Sequence, residues 1–547
     1  MPNFPPTQQQ TNIVNAIKIG SPKILVDAGA GTGKSTLLQF CVEAVPQRAN
    51  KLYLVFNKSG EIEAQRKFGE YENIQIKTVD AFARWLVLGN SYSRIKNYKI
   101  QDMDLLGVPW KKRKVVLEAI NQYCNSDKLV PDGKYMNFIQ TFFKKIDKGE
   151  LDKSFGYIIK KAHLGLASGM YSHKVENIYL AMIDEYQDTN NVSKAIFEYI
   201  PASIHLKVGD KNQGIYGFRG AYNSMEKEIK DSDAVSFPLT VSYRYTQEIA
   251  DKANFILSTF KGEKNSLVGK GKVESEIKTR AMLSRTNAKL IYGINRLVTA
   301  DFKFNTLRKA SDIFDMPITL AYLNGVGNFT SKQQWIKENR FNMSYLLKDY
   351  QLFLDMKKSG QTFIDWLSKT TFDIEILSSL AIIEEIPLER LLKLEEVSNF
   401  NNENYKNRVE FYLSTIHTAK GLEWDSVTIA TNDMKSYPYL IAKHIAETYG
   451  DIGDVQNGVE MFREDCSNGD VDVKTVEEFN LLYVAITRAK VDLKLPPDIK
   501  SLYNIKEVNS AINKAYKEII KKMYEKNQIS FDKDKKIDKK NKFDLRI

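Results

Sequence analysis

This sequence predicts an α/β fold of parallel sheets flanked by helices, with two mainly helical insertions, and three observations carry the prediction. Short apolar runs recur between helical stretches, at 52–56, 178–183, 205–208, 281–284, 411–415 and 427–430. Strands alternating with helices are the pattern of parallel α/β units. A glycine-rich turn, Ala28-Gly29-Ala30-Gly31-Thr32-Gly33-Lys34-Ser35, leaves the apolar run Ile24-Leu25-Val26 and opens into Thr36-Leu37-Leu38-Gln39-Phe40. Two intervals, 86–175 and about 306–407, abandon strand rhythm for helical periodicity, as in Val115-Val116-Ala119-Ile120 and Leu391-Leu392-Leu394. A helix from Ile505 to about Asn527 follows. Beyond it, 532–547 is rich in Lys and Asp and poor in large apolar residues, a composition that favours disorder.

Length and charge bound the rest. The 547 residues are enough for about three or four domains of roughly 150 residues. The net charge of +11 permits an anionic polymer as partner without requiring one. That excess is uneven: 447–478 carries ten acids and two bases, which leaves the remaining chain at +19. Three dispersed cysteines (Cys41, Cys124, Cys466) and five scattered histidines form neither a disulfide framework nor a zinc pattern. No apolar run reaches the ~18 residues of a membrane span, and Met1-Pro2-Asn3 opens no signal peptide. The expectation is a soluble, cytoplasmic chain, associated with the nucleoid if bacterial, with no membrane partner.

Strand, glycine-rich turn and helix start together aim backbone N–H groups at phosphates, where the helix dipole also favours negative charge. In the stretch from Ala28 to Thr36, Lys34 reaches for β- and γ-phosphates and the Ser35 hydroxyl for Mg²⁺. Ala28 stands where the general pattern has its first glycine. A second block, Ile183-Asp184-Glu185-Tyr186-Gln187-Asp188, ends an apolar strand. Alone, an Asp-Glu pair is most often a solvated surface pair. Downstream of a phosphate loop, Asp184 reads as a ligand to Mg²⁺ through its water shell and Glu185 as the base that deprotonates an attacking water. In the third block, Val208-Gly209-Asp210-Lys211-Asn212-Gln213-Gly214-Ile215-Tyr216-Gly217-Phe218-Arg219-Gly220-Ala221, Gln213 is placed to sense the γ-phosphate. Tyr216 and Phe218 alternate along the same loop; base stacking and core packing are the two readings of such aromatics.

Together these blocks resemble the UvrD/Rep/PcrA group of superfamily 1 DNA helicases, and within it the F-box DNA helicase branch without room for an F-box. Val55-Phe56-Asn57-Lys58-Ser59, Lys77-Thr78-Val79, the Asp-Glu-x-Gln-Asp-Thr run and Gly-Asp-x-x-Gln-x-Ile-Tyr-x-Phe-Arg-Gly-Ala carry the resemblance, over roughly 5–90, 176–290 and 410–490. It implies two tandem RecA-like cores: 1–85 with 176–275 as the ATP-binding core, and 276–305 with 408–499 as the second. The helical insertions are then 86–175 and a reduced 306–407, and a C-terminal helix and tail occupy 500–547. Phe56, Asn57, Lys58, Thr78, Tyr216, Phe218 and Arg219 become DNA contacts by the same resemblance.

Three later blocks also take roles from it. Ser242-Tyr243-Arg244 resembles the motif in which a tyrosine stacks on adenine and an arginine touches the γ-phosphate. Within Leu413-Ser414-Thr415-Ile416-His417-Thr418-Ala419-Lys420-Gly421-Leu422-Glu423-Trp424, Thr415 and His417 face DNA phosphates and Glu423 the nucleotide sugar. Arg488, in Leu481-Leu482-Tyr483-Val484-Ala485-Ile486-Thr487-Arg488-Ala489, is the arginine finger, a device worth about 10³–10⁵ in rate. Pro6-Thr7-Gln8-Gln9-Gln10 resembles the glutamine motif that reads the adenine edge, with Gln10 in the best register because Ile13 and Val14 then fall on the family's apolar positions.

The departures are specific. Thr78-Val79-Asp80 stands where relatives have Thr-Phe-His, and a carboxylate repels phosphate, so Asp80 inherits no DNA contact. Phe218 replaces a tryptophan. Arg94, Lys96, Lys99, Lys111-Lys112-Arg113-Lys114 and Lys144-Lys145 form basic clusters in the first insertion, either a solvated face or a phosphate contact. The function this resemblance implies is an ATP- and Mg²⁺-dependent helicase. It would move 3′→5′ on single-stranded DNA, act at single-/double-strand junctions, and serve DNA repair, recombination or a related process. Beside it stand a translocase that strips recombinase or other proteins from DNA, a helicase subunit working with a nuclease or antiviral defence complex, and an ATPase that switches a partner without travelling on DNA.

Overall fold

The computed structural model describes residues 5–525, apart from 92, 218–224, 226–227, 230–232, 273–275, 326, 357–359, 372, 406–407 and 431–436. The tail expected at 532–547 lies outside the described residues. The chain divides into two compact units, Met1–Gln247 with Asn265–Gly271, and Glu248–Lys264 with Lys272–Ile547. Each is a parallel sheet flanked by helices and carrying a helical insertion.

In the first unit six strands, Lys23–Ala28 (β1), Asn50–Val55 (β2), Ile74–Thr78 (β3), Ile178–Ile183 (β4), Ala202–Gly209 (β5) and Val235–Leu239 (β6), lie in the order β3-β2-β4-β5-β1-β6. Every neighbouring pair is parallel. Strands buried on both faces read as continuous apolar runs rather than alternating ones, and Leu180-Ala181-Met182-Ile183 of β4 is buried throughout. Because β4, β5 and β1 are adjacent and parallel, their carboxyl ends emerge side by side on one edge, about 5 Å apart. That edge is where open α/β sheets bind ligands, and it carries the glycine-rich turn, Asp184-Glu185 and Asp210. A two-strand pair, Val241–Ser242 (β7) with Val268–Gly269 (β8), adjoins it. The insertion expected at 86–175 contains the helices Arg113–Asn125, Met136–Asp147 and Phe155–Ala167, around Val116, Ile120, Ile139, Phe142 and Ile158.

The second unit orders Arg280–Ser284 (β9), Phe304–Thr306 (β10), Phe411–Thr415 (β11), Trp424–Ile429 (β12) and Ala489–Lys494 (β13) as β10-β11-β9-β12-β13, again all parallel. Its insertion runs through six helices: Ala310–Asn324, Phe329–Asn339, Leu346–Met356, Phe363–Thr370, Ile374–Glu385 and Leu388–Asn404. Most carboxylates of the acidic stretch 447–478 are exposed, but Asp465 is buried, accepting from the Tyr449 hydroxyl at 2.7 Å and lying 2.8 Å from His444 Nε2. No described helix is long and apolar enough to cross a membrane.

One element changes company. The helix Gln247–Lys261, assigned from sequence to the first core, packs almost wholly within the second unit. Its apolar face includes Ile256, Leu257 and Phe260; Phe260 stacks on Phe479 at 5.2 Å, and Lys261 Nζ donates to Asn480 Oδ1 at 2.7 Å. Phe260→Ala is therefore expected to cost the second unit about 3–5 kcal/mol, the usual toll of emptying a buried aromatic site. Urea unfolding checks this, and a loss under about 1 kcal/mol contradicts the packing.

Candidate functional site

The glycine-rich turn needs glycine for two physical reasons. Gly31 and Gly33 have φ of +71° and +82°, a region that side chains resist. A Cβ on Gly31 would also stand 2.5 Å from Ser242 Oγ and 2.6 Å from Arg244 Cβ. The Thr32 hydroxyl donates to the Gly29 carbonyl at 2.8 Å, closing the turn, and Gly33 starts the helix Lys34–Ala44. Ser35 and Thr36 lie in that helix's first turn, where unpaired N–H groups face outward. Ala28 and Ala30 are buried.

Beside the turn, the acidic pair is tightly held. Glu185 has φ +52°, unusual for a residue other than glycine. Its N–H donates to Asp184 Oδ1 at 2.8 Å, and Gln187 Nε2 donates to Glu185 Oε2 at 2.6 Å. Lys34 Nζ lies 4.0 Å from Glu185 Oε1. The Tyr53 hydroxyl, delivered by β2, donates to Asp184 Oδ2 at 3.1 Å. Burial and the neighbouring Glu185 charge push Asp184 up to about 6, against the pull of Lys34. Gln187 Oε1 in turn accepts from the Asp210 N–H at 2.9 Å, and Gln213 Nε2 donates to Asp210 Oδ2 at 2.6 Å. One continuous chain thus runs from Lys34 through Glu185, Gln187 and Asp210 to Gln213.

The Tyr243-Arg244 block lies against the same turn. Tyr243 N–H donates to the Gly31 carbonyl at 3.2 Å, while its side chain is 54% exposed. Gln10 is buried, its oxygen accepting from the Thr7 N–H at 3.0 Å, and its Nε2 borders Gly33. Gln9 instead spends its amide on Thr240, donating to Oγ1 and accepting from N–H, both at 3.0 Å. This leaves Gln10 as the glutamine beside the loop.

Farther along the edge, Phe56 and Tyr216 stack at 5.4 Å with planes 23° apart. Asn57 caps the helix Lys58–Phe68 through Gly60 N–H, Lys58 pairs with Glu61 at 2.9 Å, and the Thr78 hydroxyl caps the helix Val79–Leu88 through Ala81 N–H. Asp80 falls in that helix's first turn, where a carboxylate suits the dipole. Phe218 and Arg219 lie outside the described residues. Within the basic clusters Arg94, Lys96, Arg113 and Lys114 have carboxylate partners, whereas Lys111 and Lys112 have none among the described residues.

In the second unit the predicted residues fall on opposite edges of the parallel sheet: Thr415 and His417 at the carboxyl end of β11, Glu423 and Arg488 at the amino starts of β12 and β13. The Thr415 hydroxyl donates to Thr418 Oγ1 at 3.0 Å, His417 follows half-buried, and exposed Glu423 pairs with Lys490 at 3.4 Å. Arg488 is 1% exposed; its Nε donates to the Val484 carbonyl at 3.0 Å and its Nη1 to the Leu422 carbonyl at 3.2 Å.

The sequence reading gave no roles to Gln187, Asp210 and Tyr53, which organise the acidic pair. Gln187 and Asp210 lie inside the quoted blocks, but a polar side chain whose partner is another loop leaves no periodic signal. Lys211 and Asp27, 3.4 Å apart, join the third block to β1 in the same way.

Comparison with known families matches residues 35–232 to the UvrD/REP helicase N-terminal domain and 136–496 to the UvrD-like helicase C-terminal domain. Among individual proteins the chain is similar to F-box DNA helicase protein 1 of Schizosaccharomyces pombe, at 24% identity over 91% of this chain and 58% of that protein. Gallus gallus F-box DNA helicase 1 matches at 26% over 58% of this chain and 29% of its own length. Gabija protein GajB of Bacillus cereus matches at 24% over 75% of this chain and 87% of its own. The chain thus spans little more than half of the first F-box relative and under a third of the second.

Gly31→Ala, which adds a methyl against Ser242 and Arg244 at a left-handed position, is expected to weaken binding of a fluorescent ATP analogue by at least about tenfold, a loss of roughly 1.4 kcal/mol. Far-ultraviolet circular dichroism should be unchanged. Unaltered nucleotide affinity contradicts the loop geometry described.

Proposed function

This chain belongs to the UvrD-like helicase family, and we propose that it is an ATP-driven motor that moves 3′→5′ along single-stranded DNA and opens duplex ahead of it. The observation that carries the reading is the ion pair of Lys34 with Glu185 and the hydrogen-bonded chain from Glu185 to Gln213, because together they join a phosphate-binding turn to a positioned base and a sensing amide.

UvrD-like helicases use ATP with a divalent metal, and the donor set here fits that substrate. A Cβ on Gly31 would collide with Ser242 and Arg244, so glycine there lets the Tyr243-Arg244 block lie directly against the turn. Lys34 and the N–H groups of the turn hold phosphate oxygens; Ser35 and Asp184 hold the cation. The cation supplies charge neutralisation to the phosphates. Glu185, beside Lys34 and oriented by Gln187, is placed to receive a proton from the attacking water. Gln10 and the exposed Tyr243 ring provide an amide edge and a stacking face for adenine, and Arg244, packed on Gly31, offers charge toward the γ-phosphate. Arg488 and Glu423 are the second unit's contributors in this reading, as arginine finger and sugar contact. Phe56 and Tyr216 give a stacked aromatic platform of the kind that holds bases without regard to sequence, while Thr415 and His417 face strand phosphates.

A second reading makes the same motor the helicase subunit of a multi-protein nuclease or defence complex. It is favoured by the GajB alignment, which spans 87% of that protein.

Lys34→Ala and Glu185→Gln are each expected to reduce ATP turnover by about 10²–10⁴-fold, the usual worth of positioned acid–base groups. Glu185→Gln should still bind ATP and an oligonucleotide; near-normal hydrolysis by that variant contradicts the assignment of the base. On tailed duplexes, unwinding is expected with a 3′ tail, and preference for a 5′ tail overturns the polarity.

A further inference from the structure

One half-buried carboxylate in the second unit has a position that its own helix does not explain. Glu375 lies in the first turn of the helix Ile374–Glu385, whose N-terminus is already capped by Asp373. The side chain instead reaches the start of another helix, Asn287–Thr299. There Ala288 N–H donates to Oε1 at 2.9 Å and Asn287 N–H to Oε2 at 3.2 Å. These two amides are the hydrogen-bond partners of Glu375, and no cation lies within ion-pair distance of it among the described residues. Burial pushes its pKa above the usual carboxylate value, with the two amides and Arg308 opposing.

Two oxygens at the same helix start have no partner: Thr286 Oγ1, in a residue only 2% exposed, and Asn287 Oδ1. Thr286 is the N-cap residue, yet its hydroxyl makes no capping bond. An imported carboxylate has taken the Ala288 amide, one of the two that a local cap would use.

The surroundings point to what this arrangement imitates. β9 and β11 are neighbours, with Ser284 paired to Thr415, and Ile416 N–H donates to the Ser284 carbonyl at 2.9 Å. The amides that hold Glu375 therefore leave the sheet on the same edge as Thr415 and His417. Arg308, which follows β10 on the other side of β11, donates through Nε to Thr418 Oγ1 at 3.0 Å, and Thr418 bonds to Thr415. Two backbone amides, a guanidinium and a run of hydroxyls on one sheet edge make a donor set suited to a phosphate, and a carboxylate from the insertion holds the two amides.

We propose that the Glu375 carboxylate occupies a subsite for a backbone phosphate of the DNA strand, so that the second helical insertion blocks this subsite until the strand displaces it. This rests on the reading that the Thr415–His417 edge faces single-stranded DNA, and extends it by assigning the insertion a competing anion. Strand binding then withdraws Glu375 from the Asn287–Thr299 helix, which couples occupancy of the track to the seating of the Ile374–Glu385 helix.

The test is the affinity of the full chain for oligo(dT) across a salt series, for wild type and Glu375→Gln. The variant is expected to bind about fivefold more tightly, the worth of one like-charge repulsion at contact distance in water. Its log–log salt slope should steepen by about 0.7, the increment for one further phosphate contact on a single strand. Glu389→Gln, at an exposed acid of the same insertion, should change neither. Lowered thermal stability with unchanged affinity and slope shows that Glu375 is only a structural cap, and equal tightening by Glu389→Gln shows a general charge effect; either result overturns the proposal. If Glu375→Gln does not fold, Glu375→Asp, too short to span both amides, should tighten binding by a smaller factor, and no tightening overturns it. Wild type that fails to bind oligo(dT), or binds with a flat salt slope, instead removes the underlying motor reading and the subsite with it.

Discussion

The left-handed backbone of Glu185 is the constraint on which the first unit's chemistry depends. A residue with a Cβ at φ +52° costs about 1–3 kcal/mol and persists only where its surroundings over-determine it. Here they do. Asp184 accepts the Glu185 N–H, Gln187 holds the carboxylate, and β4 ends between β2 and β5 with no freedom to relax. The result is that consecutive carboxylates share one strand end but have different surroundings. Asp184 turns toward Tyr53 and is pushed up by burial, whereas Glu185 is held near Lys34.

The parallel sheet makes that constraint useful. In a sheet whose strands all run one way, every carboxyl end lies on the same edge, so three sequence-distant loops meet without any long-range side-chain scaffold. Gln187 then ties the second block to the third by accepting the Asp210 N–H, while charge-assisted bonds to the Glu185 and Asp210 carboxylates, about twice as strong as neutral ones, fix the side chains within each block. The second unit repeats the arrangement. There the ends of β9 and β11 bring together a helix N-terminus, Thr415 and Arg308, and the insertion contributes Glu375 to the same place.

Much of this was legible in the sequence, and the exceptions have physical causes. β1, β2, β4, β5, β9, β11 and β12 announced themselves as apolar runs because the centre of a parallel sheet is buried on both faces. The strands that went unread are short, or lie at sheet edges and are partly exposed: Phe304–Thr306 has three residues, and Val235–Leu239 contains Pro238, which an edge strand tolerates because it is paired on one side only. The helix Gln247–Lys261 falls by position in the first core, but the partner of its apolar face is Phe479, more than two hundred residues away, and no local pattern encodes that. At the site, residue types with dedicated chemistry were visible, such as Lys34, Glu185 and the glycines. Their organisers, Gln187 and Tyr53, are ordinary polar residues whose roles exist only once strands are neighbours. Gln9, Gln10 and their neighbours show the same limit at finer scale: three consecutive glutamines are chemically equal until the fold commits Gln9 to Thr240.

The account's central claim is that the turn, the acidic pair and the strand-facing residues belong to one engine. Steady-state ATP turnover with and without a single-stranded oligonucleotide tests it most directly. The account predicts weak hydrolysis alone and a many-fold rise when the strand is added, saturating with strand concentration. Turnover that is the same in both conditions would separate nucleotide hydrolysis from DNA and contradict it.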